Sequence, residues 1–135
     1  MNGPAGADVE YLDLDDLLLL ARRLLGDAPP VRDVGLLGSA AARPQTTVFG
    51  DDAYVGLWAK AAALLQSLVK NHALVDGNKR LGWLATATFL QLNGADAVRI
   101  SNKDVYSLVM EVAAGDHEVE AIATMLRSLA ESEGR

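Results

Sequence analysis

Nine consecutive residues, His72-Ala73-Leu74-Val75-Asp76-Gly77-Asn78-Lys79-Arg80, carry a histidine, a carboxylate, an amide and two cations. Imidazole exchanges a proton readily near neutral pH and, held within reach of an attacking hydroxyl, serves as a general base. Asp76 supplies the hard carboxylate oxygen that Mg²⁺ prefers beside nucleotide phosphates. Gly77 lets the backbone turn tightly and approach a ligand closely. Asn78, Lys79 and Arg80 open a helix, whose free N–H groups and positive dipole end attract anions. Lys79 and Arg80 add full charges, and an arginine can grip phosphate oxygens in bidentate fashion. Base, metal ligand, anion cradle and cationic clamp are the recurring parts of a phosphoryl-transfer site.

Each part also has a plainer reading. Asp76 could cap the following helix. Lys79 and Arg80 could be a solvated first turn, although cations oppose the dipole there and an anionic ligand would explain them better. A histidine at a helix end is often structural, and it is the company of Asp76, Asn78, Lys79 and Arg80 that makes His72 a candidate.

The elements that must position this cluster are helices. Leu14, Leu17, Leu18, Ala21, Leu24 and Leu25 recur at helical steps behind a cap at Asp13, and Gly26 with Pro29-Pro30 ends that helix. A short second helix runs from a cap at Asp33 through Leu36, Leu37, Ala40 and Ala41 to Pro44, and Gln45–Gly50 reads as a loop or flap. The third helix is expected to start at a cap on Asp51 or Asp52 and to keep Tyr54, Leu57, Trp58, Ala61, Leu64, Leu65, Leu68 and Val69 in phase. A fourth, from about Asn78 to Leu92, is apolar nearly all round, which places it at the centre of a bundle. Ala97–Ile100 is expected to form a stub of strand. A fifth helix opens at Ser101, with Asp104 three residues on, and a sixth runs from about Asp116 to Glu133. The expected fold is therefore all-α: six helices around a central buried helix, in one domain spanning residues 11–135 behind a flexible tail of residues 1–10.

Bulk properties are those of an ordinary single-domain globular protein. The chain has 135 residues, no cysteine, 50% hydrophobic residues and a net charge of −6. That charge argues against a nucleic-acid coat, which needs cations to neutralise phosphates in bulk. Without cysteine there is neither a disulfide framework nor a thiolate metal site. No stretch approaches the roughly 20 apolar residues of a membrane span, and the first residues lack a signal peptide's basic start and apolar middle. A cytoplasmic protein that binds neither membrane nor nucleic acid directly is expected.

The nine-residue stretch resembles the signature of the Fic/Doc family, His-x-Phe-x-Asp/Glu-x-Asn-Gly/Lys-Arg, in which His72, Asp76, Asn78, Lys79 and Arg80 match in identity and spacing. The runs Val31–Leu37, Ala42-Arg43-Pro44, Lys60–Leu64 and Phe89–Gly94 are similar to the Doc (death-on-curing) branch of toxins. The resemblance implies roles: His72 as general base, Asp76 as Mg²⁺ ligand, and Gly77, Asn78, Lys79 and Arg80 around the phosphates of ATP. Fic proteins proper have glycine at the Lys79 position and transfer the nucleotidyl group. A lysine there implies the Doc chemistry, transfer of the terminal phosphate to a protein hydroxyl, which for the family is a threonine of elongation factor Tu. A partner is implied too: a cognate antitoxin of the Phd type, binding over the active-site groove. A nucleotidyl (AMP) transferase and a catalytically silent binding module are the rival readings.

There are departures from the pattern. Leu74 stands where phenylalanine is usual and Ala73 where Fic proteins often have proline. Leu74 keeps an apolar anchor that should tuck the loop into the core. Trp83 stands where the longer Fic motif has a second arginine, which favours the Doc reading. Ser107 and Glu111 have a spacing reminiscent of the Fic inhibitory motif, but Val112 spoils it, so no autoinhibition is expected. His117 is expected to be exposed, and Trp58 and Trp83 to belong to the core. Arg32, Asp33 and Arg43 are expected either to line the groove or to hold the loop by ion pairs.

Overall fold

A computed structural model describes residues 8–133. The helices are α1 (Leu14–Leu25), α2 (Val34–Ala42), α3 (Leu57–Lys70), α4 (Asn78–Leu92), α5 (Asn102–Ala114) and α6 (Val119–Glu133), with a 3₁₀ turn at Arg43–Gln45 after α2. The only sheet among the described residues is a hairpin of β1 (Thr47–Val48) and β2 (Asp51–Asp52), in register Thr47↔Asp52 and Val48↔Asp51. No described helix is long and apolar enough to cross a membrane.

The helix starts follow the capping chemistry of the sequence. Asp13 accepts from the Asp16 amide while Asp16 accepts from the Asp13 amide, a reciprocal box that satisfies two free N–H groups of α1. Asp33 accepts from the Leu36 amide at the start of α2, and Ser101 from the Asp104 amide at the start of α5.

Four expectations are corrected. The third helix does not reach back to Asp51. Phe49 and Gly50 take left-handed φ values of +52° and +85°, closing a hairpin, and Gly56, at φ +89°, caps the helix instead. Tyr54 has helical phase, but its backbone lies in the connecting loop. The stub of strand at Ala97–Ile100 is a turn, in which the Val98 amide donates to Asp96 Oδ1 and the Ile100 amide to the Ala97 carbonyl. The helix at the hub is α3, which packs against α2, α4, α5, α6 and the 3₁₀ turn, whereas α4 leaves part of its apolar surface to a cleft. Within the expected tail of residues 1–10, Val9 and Glu10 are tied to the fold. Residues 1–7 lie outside the described residues, but Val9 and Leu12 are in the core, and Glu10 exchanges two backbone hydrogen bonds with the Asn93 side chain.

The α3–α4 contact is unusually close at Gly82. A methyl group there would stand 2.8 Å from Val69 Cγ2 and 3.5 Å from Leu68 Cβ, both on α3. A side chain there would have to displace Val69, so glycine lets α4 pack closely on the end of α3 beside the loop of residues 71–77.

Candidate functional site

His72, Asp76, Gly77, Asn78, Lys79 and Arg80 all line one cleft of about 870 Å³, which continues past Trp83 and Leu84 of α4 to Asn102, Val105, Tyr106, Val109 and Met110 of α5. Folding therefore brings the six sequence candidates to one surface, with a polar end and an apolar end. The apolar end was not foreseen, and Trp83, read as core, is half-buried and forms part of it.

The loop is built by local chemistry. The α3 helix stops at Asn71, whose amide Nδ2 donates to the Leu36 carbonyl at 3.0 Å. His72 then takes φ +55°, a left-handed conformation. Such a conformation costs an ordinary L-residue roughly 1–2 kcal/mol, somewhat less for histidine, which is enriched there. Ala73 and Leu74 plunge into the core, Leu74 being 1% exposed; the apolar anchor expected at Leu74 is present. The chain re-emerges at Val75 and Asp76, both exposed, and Gly77, at φ +91°, starts α4.

Strain of this kind persists only where the surroundings hold it. A second segment, residues 30–33, does so. The Val75 amide donates to the Pro30 carbonyl, the Arg32 and Asp33 amides both donate to the Ala73 carbonyl, and Val31 pairs with Leu74. The Arg32 guanidinium donates twice to the His72 carbonyl. Of the two expected roles, Arg32 thus holds the loop, through hydrogen bonds and not an ion pair, while Asp33 caps α2. Arg43 serves elsewhere, donating to the Tyr54 hydroxyl, the Ala63 carbonyl and Ser67 Oγ.

Asn78 divides its duties. Its side chain turns back onto the loop: Oδ1 accepts from the Leu74 amide and Nδ2 donates to the Leu74 carbonyl, each at 2.9 Å. The side chain is thus committed to the loop, and of the polar groups of this residue only its backbone amide is left to meet an anion in the cleft. No side chain caps α4, and its first backbone bond runs from the Leu81 amide to the Gly77 carbonyl. The amides of the first turn are left without an intrahelical partner. Asp76 does not cap the helix: its Oδ1 accepts from the Gly77 amide next door, leaving Oδ2 free on an exposed residue. Lys79 and Arg80 are exposed, and neither forms an ion pair among the described residues.

Gly77 is under two constraints. Its φ is left-handed, and a methyl group would stand 2.9 Å from both Leu25 Cδ atoms of α1. Gly77→Ala is expected to lower stability by roughly 1–2 kcal/mol from the backbone alone, with the leucine able to yield part of the space. Urea denaturation with and without Leu25→Ala separates the two contributions, since only the steric part is recovered in the double variant.

His117 is half-buried rather than exposed, its ring 3.8 Å from Glu111 Oε1 and its carbonyl accepting from Gln66 Nε2. It lies away from the cleft lining. No group of three or more histidine, aspartate or glutamate side chains among the described residues could cage a metal by itself. A single free carboxylate oxygen at Asp76, next to an uncapped helix start, does fit a Mg²⁺ that arrives on nucleotide phosphates, because Mg²⁺ usually keeps several waters and takes only one or two protein carboxylates.

An all-helical domain whose α3–α4 loop carries a histidine, a carboxylate and an open cationic helix start matches the Fic/DOC family, whose model covers residues 11–90. The chain belongs to that family. Within it, the chain is 51% identical over 122 residues to a Doc toxin of Mycolicibacterium smegmatis, an alignment covering 90% of this chain and 94% of the relative.

Proposed function

We propose that this protein is a Doc-type toxin that transfers the terminal phosphate of a nucleoside triphosphate, ATP in the first instance, to a protein hydroxyl. The resemblance implies that this hydroxyl belongs to a threonine of elongation factor Tu, so that translation stops. The observation that carries the reading is the convergence of His72, Asp76, Lys79, Arg80 and the open first turn of α4 on one cleft. The similarity to a Doc toxin, and a lysine at position 79 where Fic proteins have glycine, favour phosphoryl over nucleotidyl transfer: a long cationic side chain fills space and recruits charge where bare backbone would admit part of the nucleotide.

In this reading the first-turn amides of α4, with Lys79 and Arg80, bind the phosphates and draw negative charge toward the helix dipole. Asp76 would hold Mg²⁺, which when bound neutralises charge on the phosphate oxygens. His72 accepts the proton of the attacking hydroxyl. The hydroxyl oxygen forms a bond to the terminal phosphorus as the bond to the bridging oxygen breaks, and the nucleoside diphosphate leaves. The apolar end of the cleft, from Trp83 and Leu84 to Val105, Val109 and Met110, suits the apolar face of a partner helix. An antitoxin of the Phd type seated there would cover the catalytic loop.

The test uses the purified chain, elongation factor Tu and ATP labelled at one phosphate or the other. Label in the terminal phosphate is expected on the target and lost with His72→Ala. Label transferred from the innermost phosphate would make the protein a nucleotidyl transferase. No transfer, no nucleotide binding and no growth arrest on expression would make it a binding module. The cationic clamp has its own expected outcome: Arg80→Ala raises the nucleotide KM about tenfold, the scale of one lost charge-assisted hydrogen bond, measured by initial rates against ATP concentration.

A further inference from the structure

We infer that Arg32 is a positioning residue that aims His72, acting through the main chain rather than on the substrate. The inference rests on the phosphotransfer reading above. Arg32 Nε and Nη2 donate to the same oxygen, the His72 carbonyl, at 3.0 and 2.5 Å, across a separation of 40 residues. That carbonyl belongs to the one residue of the α3–α4 loop, other than Gly77, with a left-handed φ.

The geometry of the two flanking residues explains what the clamp does. On the N-terminal side, Asn71 is fixed by its amide N–H to the Ser67 carbonyl and by its side chain to Leu36. On the C-terminal side, Ala73 is buried and its carbonyl accepts from two amides of residues 32 and 33. The carbonyl of the peptide unit between His72 and Ala73 accepts no backbone hydrogen bond among the described residues. If His72 turned about its own N–Cα bond to the negative φ that an L-residue prefers, its Cα–Cβ bond and its carbonyl would swing together, and the carbonyl would leave Arg32. The two guanidinium hydrogen bonds, strengthened by the charge on the donor, hold the unit in place. Being side-chain bonds on an exposed residue, they can be deleted without touching the backbone bonds that hold Ala73.

A brace that only stabilised the loop and a device that orients the base predict different measurements. For Arg32→Ala in the full chain, kcat is expected to fall about tenfold to a hundredfold, the scale of a small misplacement of a reacting group. The nucleotide KM should stay within about twofold, because a transition-state interaction is lost and ground-state binding is not. Arg32→Lys, which still brings one cationic donor to the carbonyl, should recover part of kcat. The HN–Hα coupling of residue 72, read by NMR, should leave its left-handed value in Arg32→Ala and stay close to it in Arg32→Lys.

An unchanged kcat, a change confined to KM, or an unmoved coupling in Arg32→Ala would each overturn the inference. So would a loss of thermal midpoint that is as large in Arg32→Lys as in Arg32→Ala and accounts for the lost activity. Should the unaltered chain transfer no phosphate at all, the functional reading falls, and the coupling alone then judges whether the clamp sets the conformation of His72.

Discussion

Replacing His72 by glycine or asparagine is expected to give a protein that folds as well as the parent and transfers phosphate at least about a hundredfold more slowly, the usual contribution of a positioned general base. The two halves of this outcome have separate causes. His72 is exposed and makes no side-chain hydrogen bond among the described residues, so deleting its ring opens no cavity. Its backbone sits at φ +55°, which glycine adopts freely and asparagine tolerates better than most residues. For glycine, the roughly 1 kcal/mol of relieved strain is offset by a similar entropic gain of the unfolded chain. For asparagine the offset is absent, and the thermal midpoint should stay level or rise. His72→Ala, by contrast, keeps the unfavourable φ and should be the least stable of the three. Calorimetry ranks the stabilities, and label transfer from the terminal phosphate of ATP reads the rate. A variant at this position that keeps more than a tenth of the parent rate would remove His72 from the role of base.

A large stability effect is expected far from the cleft, at Asp52. Lys60 of α3 is 1% exposed. Its ammonium group is held by Asp52 Oδ2 at 3.0 Å and the Tyr54 carbonyl at 2.7 Å, with the Tyr11 ring about 6.0 Å away. Removing one partner of a buried pair leaves a charge that water cannot reach, at a typical cost of about 3–5 kcal/mol. Asp52 is itself a third exposed and the Tyr54 carbonyl remains, so Asp52→Ala is expected to cost nearer about 2–3 kcal/mol, at the low end of that range or just below. Lys60→Met preserves the apolar volume and removes the buried charge, and the partly exposed Asp52 then hydrates. The double variant Asp52→Ala/Lys60→Met should therefore recover most of the loss. Urea denaturation of the four proteins closes the cycle. Strict additivity of the two single effects would mean that the pair is not coupled.

The same pair ties the β1–β2 hairpin to α3. The tip of that hairpin carries Phe49 fully exposed at 101%, with Val48 half-exposed beside it. Loss of Asp52 should therefore loosen the hairpin before it unfolds the bundle, a difference that exchange of the Ala53 amide, which donates to the Thr46 carbonyl across the hairpin, would register.

Much of this was legible in the chain. The cluster from His72 to Arg80 is contiguous, so its chemistry could be read without knowing the fold. The starts of α1, α2 and α5 are set by Asp13, Asp33 and Ser101 bonding to amides a few residues ahead, interactions that need only local geometry. Periodicity misled where phase and backbone conformation parted. Tyr54 lies in phase with α3, yet the left-handed Gly56 forces the helix to start at Leu57. It misled again at α4, where the apolar surface of Trp83 and Leu84 was read as burial but lines the cleft. Hydrophobicity along a chain reports that a surface avoids water, not whether a neighbouring helix or a ligand will cover it.

Residue types and spacing therefore determined the helical class, the caps and the candidate groups of the site, because those depend on interactions within a few residues. Tertiary structure alone decided that α3 is the hub and that the Lys60 ammonium is enclosed in the core near the Tyr11 ring. It also decided that Arg32, 40 residues upstream, grips the carbonyl of His72. Such contacts join segments distant in sequence, and no local pattern encodes them. They exist only once burial of the apolar faces has folded the two segments against each other.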